Sequence, residues 1–383
     1  MLNYGFQSID KKDIEYVIRA LKSSFLTTGP YVKQFERLFA KKVGAKYAVA
    51  VSNATAGLHI AVQAASLPIN SEGITSANTF LASSNAFLYN NLKPVFADID
   101  KKTYNVDPDE ISKKISKKTS IIIPVHFAGQ PCDMGKIKEI IKDKKIIIIE
   151  DAAHAVGSKY KNGKMVGSCY YSAMTVFSFH PVKTITTGEG GMITTNSKAY
   201  YETLLMLRSH GMTKDPQLLN KNPGPWYYEM HSLGFNYRLT DIQSALGISQ
   251  LSKLDKFIKR RREIVRKYNQ AFKNTPWLTV PYEEKGIFSA FHLYVLLIDF
   301  NKIKKSRKKV MEILFKKGIG TQVHYIPVYL QPYYTKNFGF KQGMCPNAED
   351  YYKKCLSIPL FPSMKNSDVS KVIKSIKELN TLP

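Results

Sequence analysis

Short apolar runs alternate, along the first half of the chain, with segments in which apolar residues recur at helical spacing. The apolar runs predict strands at residues 46–51, 94–97, 121–125, 146–149, 173–179 and 192–195. The helical spacing predicts helices at 10–21, 31–43, 58–65, 81–88 and 137–141. Continuous apolar strands that alternate with helices are typical of a mostly parallel sheet covered on both faces, so we expect an α/β fold.

The pattern becomes helical from residue 200 and changes again in the C-terminal third. A polar loop rich in Pro, Asn and Gly spans 214–225, and one long helix is predicted from 242 to 272. Further on, the pattern predicts a strand at 291–300, a turn into a strand at 318–325, and helices at 308–317, 348–355 and 368–379. We therefore expect a large α/β domain at residues 1–250 and a smaller α+β domain at residues 251–383.

The charge of the chain limits the kinds of molecule that it is expected to bind. The chain has 383 residues and a formal net charge of +26. Its lysines are spread along the whole length, and the densest runs lie in polar helical stretches. Solvated helix faces explain this charge better than a nucleic-acid-binding surface does, so we expect no nucleic-acid partner. The excess positive potential suits a phosphorylated, anionic substrate.

The cysteines and histidines give no sign of a structural metal. The four cysteines are far apart and form no CxxC pair, which argues against a zinc site or a disulfide framework. The histidines lack a spacing such as HExxH, so we expect no metal. The N-terminus lacks a signal-peptide pattern, and no apolar run is long enough to span a membrane. We expect a cytoplasmic protein.

Three charged residues follow predicted strands, at the sheet edge where α/β proteins bind ligands. Glu150 and Asp151 follow the strand at 146–149, and only one of them should face a pocket, because successive strand residues point to opposite faces. Lys183 follows the strand at 173–179. Burying an ammonium group is costly, so this lysine either meets an anion or loses its proton and becomes a nucleophile. The alternative is a solvated loop lysine.

A possible phosphate site completes the edge. Residues 52–57 pass from a strand through small polar residues into a helix, where free backbone N–H groups attract anions, although the same residues could simply cap the helix. There is no GxGxxG and no Walker lysine, so dinucleotide and nucleoside-triphosphate folds have no support. A lysine, a carboxylate, an anion site and an aromatic side chain (Phe80) are together what pyridoxal phosphate requires.

Seven segments resemble the DegT-type nucleotide-sugar aminotransferases, in order and nearly from end to end. They are SNATAG (52–57), EDAAH (150–154), SFHPVK (178–183), GEGG (188–191), RSHGM (208–212), NYRLTD (236–241) and VHYIP (323–327). The resemblance implies the aspartate-aminotransferase fold (fold type I), pyridoxal 5′-phosphate as cofactor, and a homodimer whose subunits share their active sites.

The resemblance also implies the roles of individual residues toward the cofactor ring. Lys183 would form the Schiff base and later move a proton between cofactor and substrate carbons. Asp151 would pair with the pyridine nitrogen, Phe80 would stack on the ring, and His154 would lie near the ring's 3-oxygen. The alternatives for Phe80 and His154 are ordinary core positions.

Further roles concern the phosphate and the substrates. Ala54, Thr55 and Ser178 would hold the phosphate, and Asn236 would reach the phosphate in the other subunit. Thr55 could instead be only a helix cap. Near the sugar nucleotide or the amino donor, the resemblance places Arg238, His324 and Tyr325.

A finer resemblance indicates the substrate. Segments 24–29, 208–212, 242–251 and 324–329 look most like the pseudaminic-acid branch of the family, which moves the amino group of L-glutamate to C4 of a UDP-linked 4-keto-6-deoxy-N-acetylhexosamine. Position 183 is lysine rather than the histidine of related dehydratases. The alternatives are another keto sugar (C3-keto, dTDP- or GDP-linked, or a keto-cyclitol) and a non-enzymatic regulator. The segment 214–228 is longer than the resemblance leads us to expect.

Overall fold

A seven-stranded sheet forms the centre of the protein in the computed structural model, which describes residues 1–380. Its strands lie in the order β1-β7-β6-β5-β4-β2-β3. Along the chain they are β1 (Tyr47–Val51), β2 (Glu72–Ser76), β3 (Lys93–Ala97), β4 (Thr119–Ile123), β5 (Ile147–Asp151), β6 (Met174–Ser178) and β7 (Gly191–Thr195).

Thirteen α-helices surround this sheet and the smaller ones within the described residues. They are α1 (Lys11–Leu21), α2 (Pro30–Val43), α3 (Ala54–Ala64), α4 (Leu81–Tyr89), α5 (Pro108–Lys114), α6 (Met134–Ile140), α7 (Lys198–Leu207), α8 (Asp241–Leu251), α9 (Leu254–Phe272), α10 (Arg307–Lys316), α11 (Pro332–Phe338), α12 (Pro346–Lys354) and α13 (Asn366–Lys377). The remaining strands are β8 (Met212–Thr213), β9 (Glu229–Met230), β10 (Leu278–Thr279), β11 (Tyr294–Ile298) and β12 (Cys355–Ile358).

The central sheet is mostly parallel, as predicted. Only β7 is reversed, and it pairs antiparallel with both β6 and β1. The other pairings are parallel, so six carboxyl ends meet at one edge. That edge receives the loops that follow β1, β5 and β6.

Side-chain alternation divides the core of this sheet into two layers. Ile121 and Ile123 of β4 pack in one buried cluster, and Ile122 packs in another on the opposite face. The strands are buried on both faces because helices cover each side, which explains their continuous apolar sequences. The α/β prediction is confirmed.

The C-terminal part has its own antiparallel sheet, with β11 between β10 and β12. This sheet packs with the second half of α9 and with α10 and α13 in a separate cluster. The first half of α9, through Leu254, Phe257 and Ile258, packs in the core of the large sheet instead. The domain boundary at 250/251 stays a prediction.

Three local predictions were wrong. The single helix at 242–272 is two helices, because the Ser252 hydroxyl bonds back to the Ser249 carbonyl at 2.7 Å and Lys253 turns to the buried Asp13 of α1. Segment 318–325 forms only isolated bridges, with Leu2 and with Ser357, so no ladder develops. Residue 355 begins β12 rather than ending a helix, because it pairs with β11.

Candidate active site

A cavity of about 720 Å³ opens where the carboxyl ends of the central strands meet. Nine of the eleven residues predicted for the site line it: Ala54, Thr55, Phe80, Asp151, His154, Ser178, Lys183, His324 and Tyr325. They come from five separate regions of the sequence, so it is the fold that brings them together.

Lys183 lies in the loop between β6 and β7. The loop is closed at its base, because the Phe179 N–H donates to the Gly190 carbonyl at 2.8 Å, and the Lys183 N–H donates to the His180 carbonyl at 2.9 Å. The side chain is partly buried and lines the cavity, unlike a freely solvated loop lysine. Burial lowers the pKa of its amine to about 8, although the negative charge of Asp151 acts to raise that pKa. At pH 7 about one tenth of the amine is therefore unprotonated and nucleophilic, far more than for an ordinary lysine.

Asp151 ends β5 and is only 4% exposed. The Ser83 hydroxyl of α4 donates to its Oδ2 at 2.6 Å, and the Ala153 N–H donates to its Oδ1 at 3.0 Å. Thr79 in turn lies 2.7 Å from Ser83. The carboxylate is thus held at a fixed orientation in the cavity wall.

Glu150 points to the other side of the sheet, as the strand alternation predicted. It is fully buried and accepts hydrogen bonds from His126 Nε2 at 2.7 Å and from Tyr160 and Ser172 at 2.5 Å each. His126 Nδ1 accepts the Cys132 N–H at 3.0 Å, so its proton resides on Nε2. Burial raises the pKa of Glu150, but the bonds from His126, Ser172 and Tyr160 outweigh it and leave the pKa lowered. Glu150 is therefore a structural anion.

An anion site begins at the first turn of α3. Asn53 caps this helix, accepting the Ala56 N–H at 2.8 Å, whereas Thr55 lies inside the first turn and its hydroxyl has no hydrogen-bond partner among residues 1–380. A Cβ at Gly191 would lie 2.7 Å from the Asn53 carbonyl carbon, so only glycine lets β7 approach this turn so closely. The free N–H groups, the helix dipole and the nearby Ser178 hydroxyl suit a phosphate.

His154 is held in one tautomer in the cavity wall. Its Nδ1 accepts the Ala128 N–H at 3.3 Å, which leaves Nε2 to carry the proton, 3.2 Å from the Tyr325 hydroxyl. Burial and the positive charge of Lys183 keep the pKa of His154 well below its ordinary value. His154 is therefore a neutral N–H donor.

Phe80 and His324 occupy opposite extremes of exposure. Phe80 is 56% exposed at the start of α4, with its ring 6.1 Å from that of Tyr325, so it is not a core residue. His324 is buried against Ser357, whose hydroxyl lies 2.8 Å from its Nδ1, and burial lowers its pKa to about 3. An open aromatic face and a neutral imidazole thus line the cavity.

Several lining residues were missed from the sequence. His292 is 3% exposed, its ring centroid lies 4.5 Å from that of His154, and its Nδ1 has no partner among the described residues. Buried Arg261 donates to the carbonyls of Phe291 and His292 and so fixes this turn. Other missed lining residues include Tyr4, His180, Glu189 and Gln322.

Asn236 and Arg238 do not line the cavity of their own chain. Asn236 is exposed and bridges to Ser209 through the backbone. Arg238 borders a different cavity of about 770 Å³, between α2, β1 and α7, which also contains the Arg208–Glu36 ion pair. Their predicted roles therefore require contact with another subunit.

The residues present fit pyridoxal phosphate. An accessible amine, a fixed carboxylate, an N-terminal helix turn and an open aromatic ring face one cavity, with three buried histidines in or behind its wall. Within residues 1–380 no group of His, Cys, Asp and Glu is arranged to hold a metal ion. No helix in that range is long and apolar enough to cross a membrane.

Comparisons with known proteins agree with this geometry. The model of the DegT/DnrJ/EryC1/StrS aminotransferase family matches residues 7–377. The spore coat polysaccharide biosynthesis protein SpsC of Bacillus subtilis is 42% identical over 379 residues, which are 99% of this chain and 97% of SpsC.

Solved structures share the whole fold. PseC of Helicobacter pylori, an aminotransferase involved in the biosynthesis of pseudaminic acid, is 32% identical, with a TM-score of 0.91 over 99% of each chain. The putative sugar aminotransferase Spr1654 of Streptococcus pneumoniae, in its pyridoxamine-phosphate form, is 28% identical, with a TM-score of 0.91 over 100% of this chain and 99% of its own. The chain belongs to the DegT/DnrJ/EryC1/StrS aminotransferase family and is a pyridoxal-phosphate-dependent sugar aminotransferase.

Proposed function

We propose that this enzyme moves the amino group of L-glutamate to C4 of a UDP-linked 4-keto-6-deoxy-N-acetylhexosamine, in a pathway of the pseudaminic-acid type. The observation that carries the chemistry is the pairing, in one cavity, of the Lys183 amine with the fixed Asp151 carboxylate. The finer substrate assignment is supported by the likeness to PseC over 99% of both chains.

Pyridoxal phosphate, when bound, supplies an electron sink that stabilises negative charge at the substrate carbon. Lys183 anchors the cofactor and then carries a proton to and from that carbon, a task for which an amine with a pKa of about 8 is well matched near neutral pH. Asp151 keeps the ring nitrogen protonated, and Ser83 keeps Asp151 oriented.

The other predicted residues bind and orient. Ala54, Thr55 and Ser178 hold the phosphate at the start of α3. Phe80 covers one face of the ring. Neutral His154 donates its Nε2 proton toward the cavity, with Tyr325 beside it.

The active enzyme in this proposal is a homodimer located in the cytoplasm. Asn236 lies outside its own cavity, as a residue serving the other subunit's phosphate must. The apolar face of α1 is left open as well: Ile14, Ile18 and Leu21 are about half exposed. A second copy would cover that face, whereas Asp13 and Ala20 of the same helix are buried within the chain. The four cysteines are free, which suits a reducing compartment.

The test is spectroscopic and uses both half-reactions. L-Glutamate should convert the purified holoenzyme to its pyridoxamine form, and a UDP-linked 4-keto sugar should restore the pyridoxal absorbance. A panel of UDP-, dTDP- and GDP-linked 4-keto and 3-keto sugars then ranks the substrates. Faster restoration by a 3-keto sugar or by a dTDP- or GDP-linked sugar would replace the proposed substrate. No response to any amino donor would overturn the proposal as a whole.

A further inference from the structure

Two polar side chains at the cavity have no place in the chemistry described so far. His180 and Glu189 stand near the two ends of the loop that carries Lys183, and both line the cavity. The side chains of both are exposed, and neither forms a hydrogen bond or ion pair with any side chain or backbone group of residues 1–380. They are therefore free to bind a ligand.

The backbone of each residue is held firmly. The His180 N–H donates to Ser178 Oγ at 3.4 Å, and its carbonyl accepts the Lys183 N–H. The Glu189 carbonyl accepts from the Thr187 hydroxyl at 2.6 Å and from the Gln243 amide at 2.9 Å. The backbone therefore fixes where the two side chains start, and both side chains are left free to bind a ligand.

The charges of the pair select the kind of group it binds. Partial burial lowers the pKa of His180. The negative charge of Glu189 raises this pKa and the positive charge of Lys183 lowers it, and the net result is a lowered pKa. The imidazole is therefore neutral near pH 7. A neutral imidazole offers one donor and one acceptor, and the carboxylate offers acceptors only. A carboxylate at this position repels phosphates and the carboxylates of an amino-acid donor. Hydroxyl and amide N–H groups, which a sugar ring carries, fit both partners.

We propose that His180 and Glu189 form a specificity-determining pair that binds the hydroxyl and acetamido groups of the keto-sugar ring and takes no part in binding the amino-acid donor. The inference rests on the proposed function, because it assigns the pair to one of its two half-reactions. Glutamate lacks sugar hydroxyls, so the two half-reactions respond differently when the pair is removed.

The kinetic test compares the two half-reactions in stopped-flow absorbance. The variants H180A and E189A should raise the KM of the keto-sugar half-reaction about tenfold to a hundredfold, the effect of losing a hydrogen bond to a charged or polar partner. The rate and the KM of their glutamate half-reaction should stay within about threefold of the wild-type values. H180N, which keeps a donor and an acceptor, should recover part of the loss. The exposed Glu312 on α10 provides the matched control, E312Q, with both half-reactions unchanged.

A binding measurement is independent of turnover. In calorimetry, the wild-type holoenzyme should bind UDP-N-acetylglucosamine more tightly than UDP, and H180A and E189A should lose that difference while binding UDP normally. Equal weakening of UDP would place the pair on the nucleotide and overturn the inference. Parallel slowing of both half-reactions would overturn it too, by making the residues mere supports of Lys183. A wild-type enzyme inert to glutamate would instead refute the proposed function.

Discussion

The Ser83 hydroxyl donates a 2.6 Å hydrogen bond to Oδ2 of Asp151, joining the first turn of α4 to the end of β5. The two residues are 68 positions apart in the sequence. The carboxylate that faces the cavity therefore depends for its orientation on a helix that follows a different strand.

Replacing Ser83 with alanine should slow the glutamate half-reaction about tenfold to a hundredfold, because a charged carboxylate loses a donor and its fixed orientation. Ser84→Ala is the matched control, since the Ser84 hydroxyl bonds to Tyr334 and to the Leu81 carbonyl, away from Asp151. Single-turnover absorbance measures both. Equal rates for the two variants would show that Ser83 does not support Asp151.

Lys183→Ala should abolish covalent attachment of the cofactor and reduce turnover by at least about a thousandfold, because the chain loses both its nucleophile and its proton carrier. The measurement is the bound-cofactor absorbance after gel filtration. Lys101→Ala, at an exposed turn, should behave like wild type. Undiminished cofactor absorbance in the Lys183 variant would contradict the assignment.

The rate at which pyridoxal phosphate attaches to cofactor-stripped enzyme should rise with pH, with a midpoint near 8. Only the unprotonated amine attacks, and burial has lowered the pKa of Lys183 from 10.5 to about 8. Because the negative charge of Asp151 raises that pKa, Asp151→Asn should move the midpoint below 8. A midpoint near 10.5 in the wild type would mean that the lysine is solvated.

Glu150→Gln should destabilise the fold by about 1–3 kcal/mol, because the amide cannot accept all the hydrogen bonds that the buried carboxylate receives from His126, Tyr160 and Ser172. Denaturant unfolding measures the change, and Glu312→Gln, at an exposed position, should stay within about 0.5 kcal/mol of wild type.

The same carboxylate predicts an acid sensitivity. The folded-state pKa of Glu150 lies below its usual 4.5, so its contribution is present above pH 4.5 and is lost as the pH falls through the folded-state value. The stability difference between wild type and Glu150→Gln should therefore shrink below about pH 4.5. If the stability difference between the two proteins stayed constant below pH 4.5, protonation of Glu150 would not contribute to acid unfolding.

The central sheet and the positions of Lys183 and Asp151 could be predicted because Asp151 lies at the carboxyl end of a buried strand and Lys183 in the loop after another, and the carboxyl ends of such strands converge. Ser83 and His292 could not be predicted. Ser83 is one of several small polar residues on α4, and only the crossing of that helix over β5 distinguishes it. His292 lies in a distant segment that is held against the large domain by backbone hydrogen bonds from Ala290 to Gly129 and from Leu293 to Ala128.

Helical periodicity in the sequence also fails to show contacts between distant parts of the chain. At the break after α8, Lys253 pairs with Asp13, which is far away in the sequence, so helical periodicity alone did not reveal the break. On α1 the periodicity was correct, yet Ile14 and Leu21 are about half exposed within one chain. An apolar stripe predicts that a face will be covered, but not by what.

The reversal of β7 has a consequence for how the site assembles. Because β6 and β7 are adjacent and antiparallel, with Ser178 opposite Gly191, the loop with Lys183 is the tip of a hairpin, made from contacts close in sequence. The turn at Asn53 and the carboxylate of Asp151 reach the same edge only after long crossovers have docked. Local contacts form faster than distant ones. The nucleophile thus belongs to a unit of local contacts, and the groups that bind and activate the cofactor reach it through contacts between distant parts of the chain.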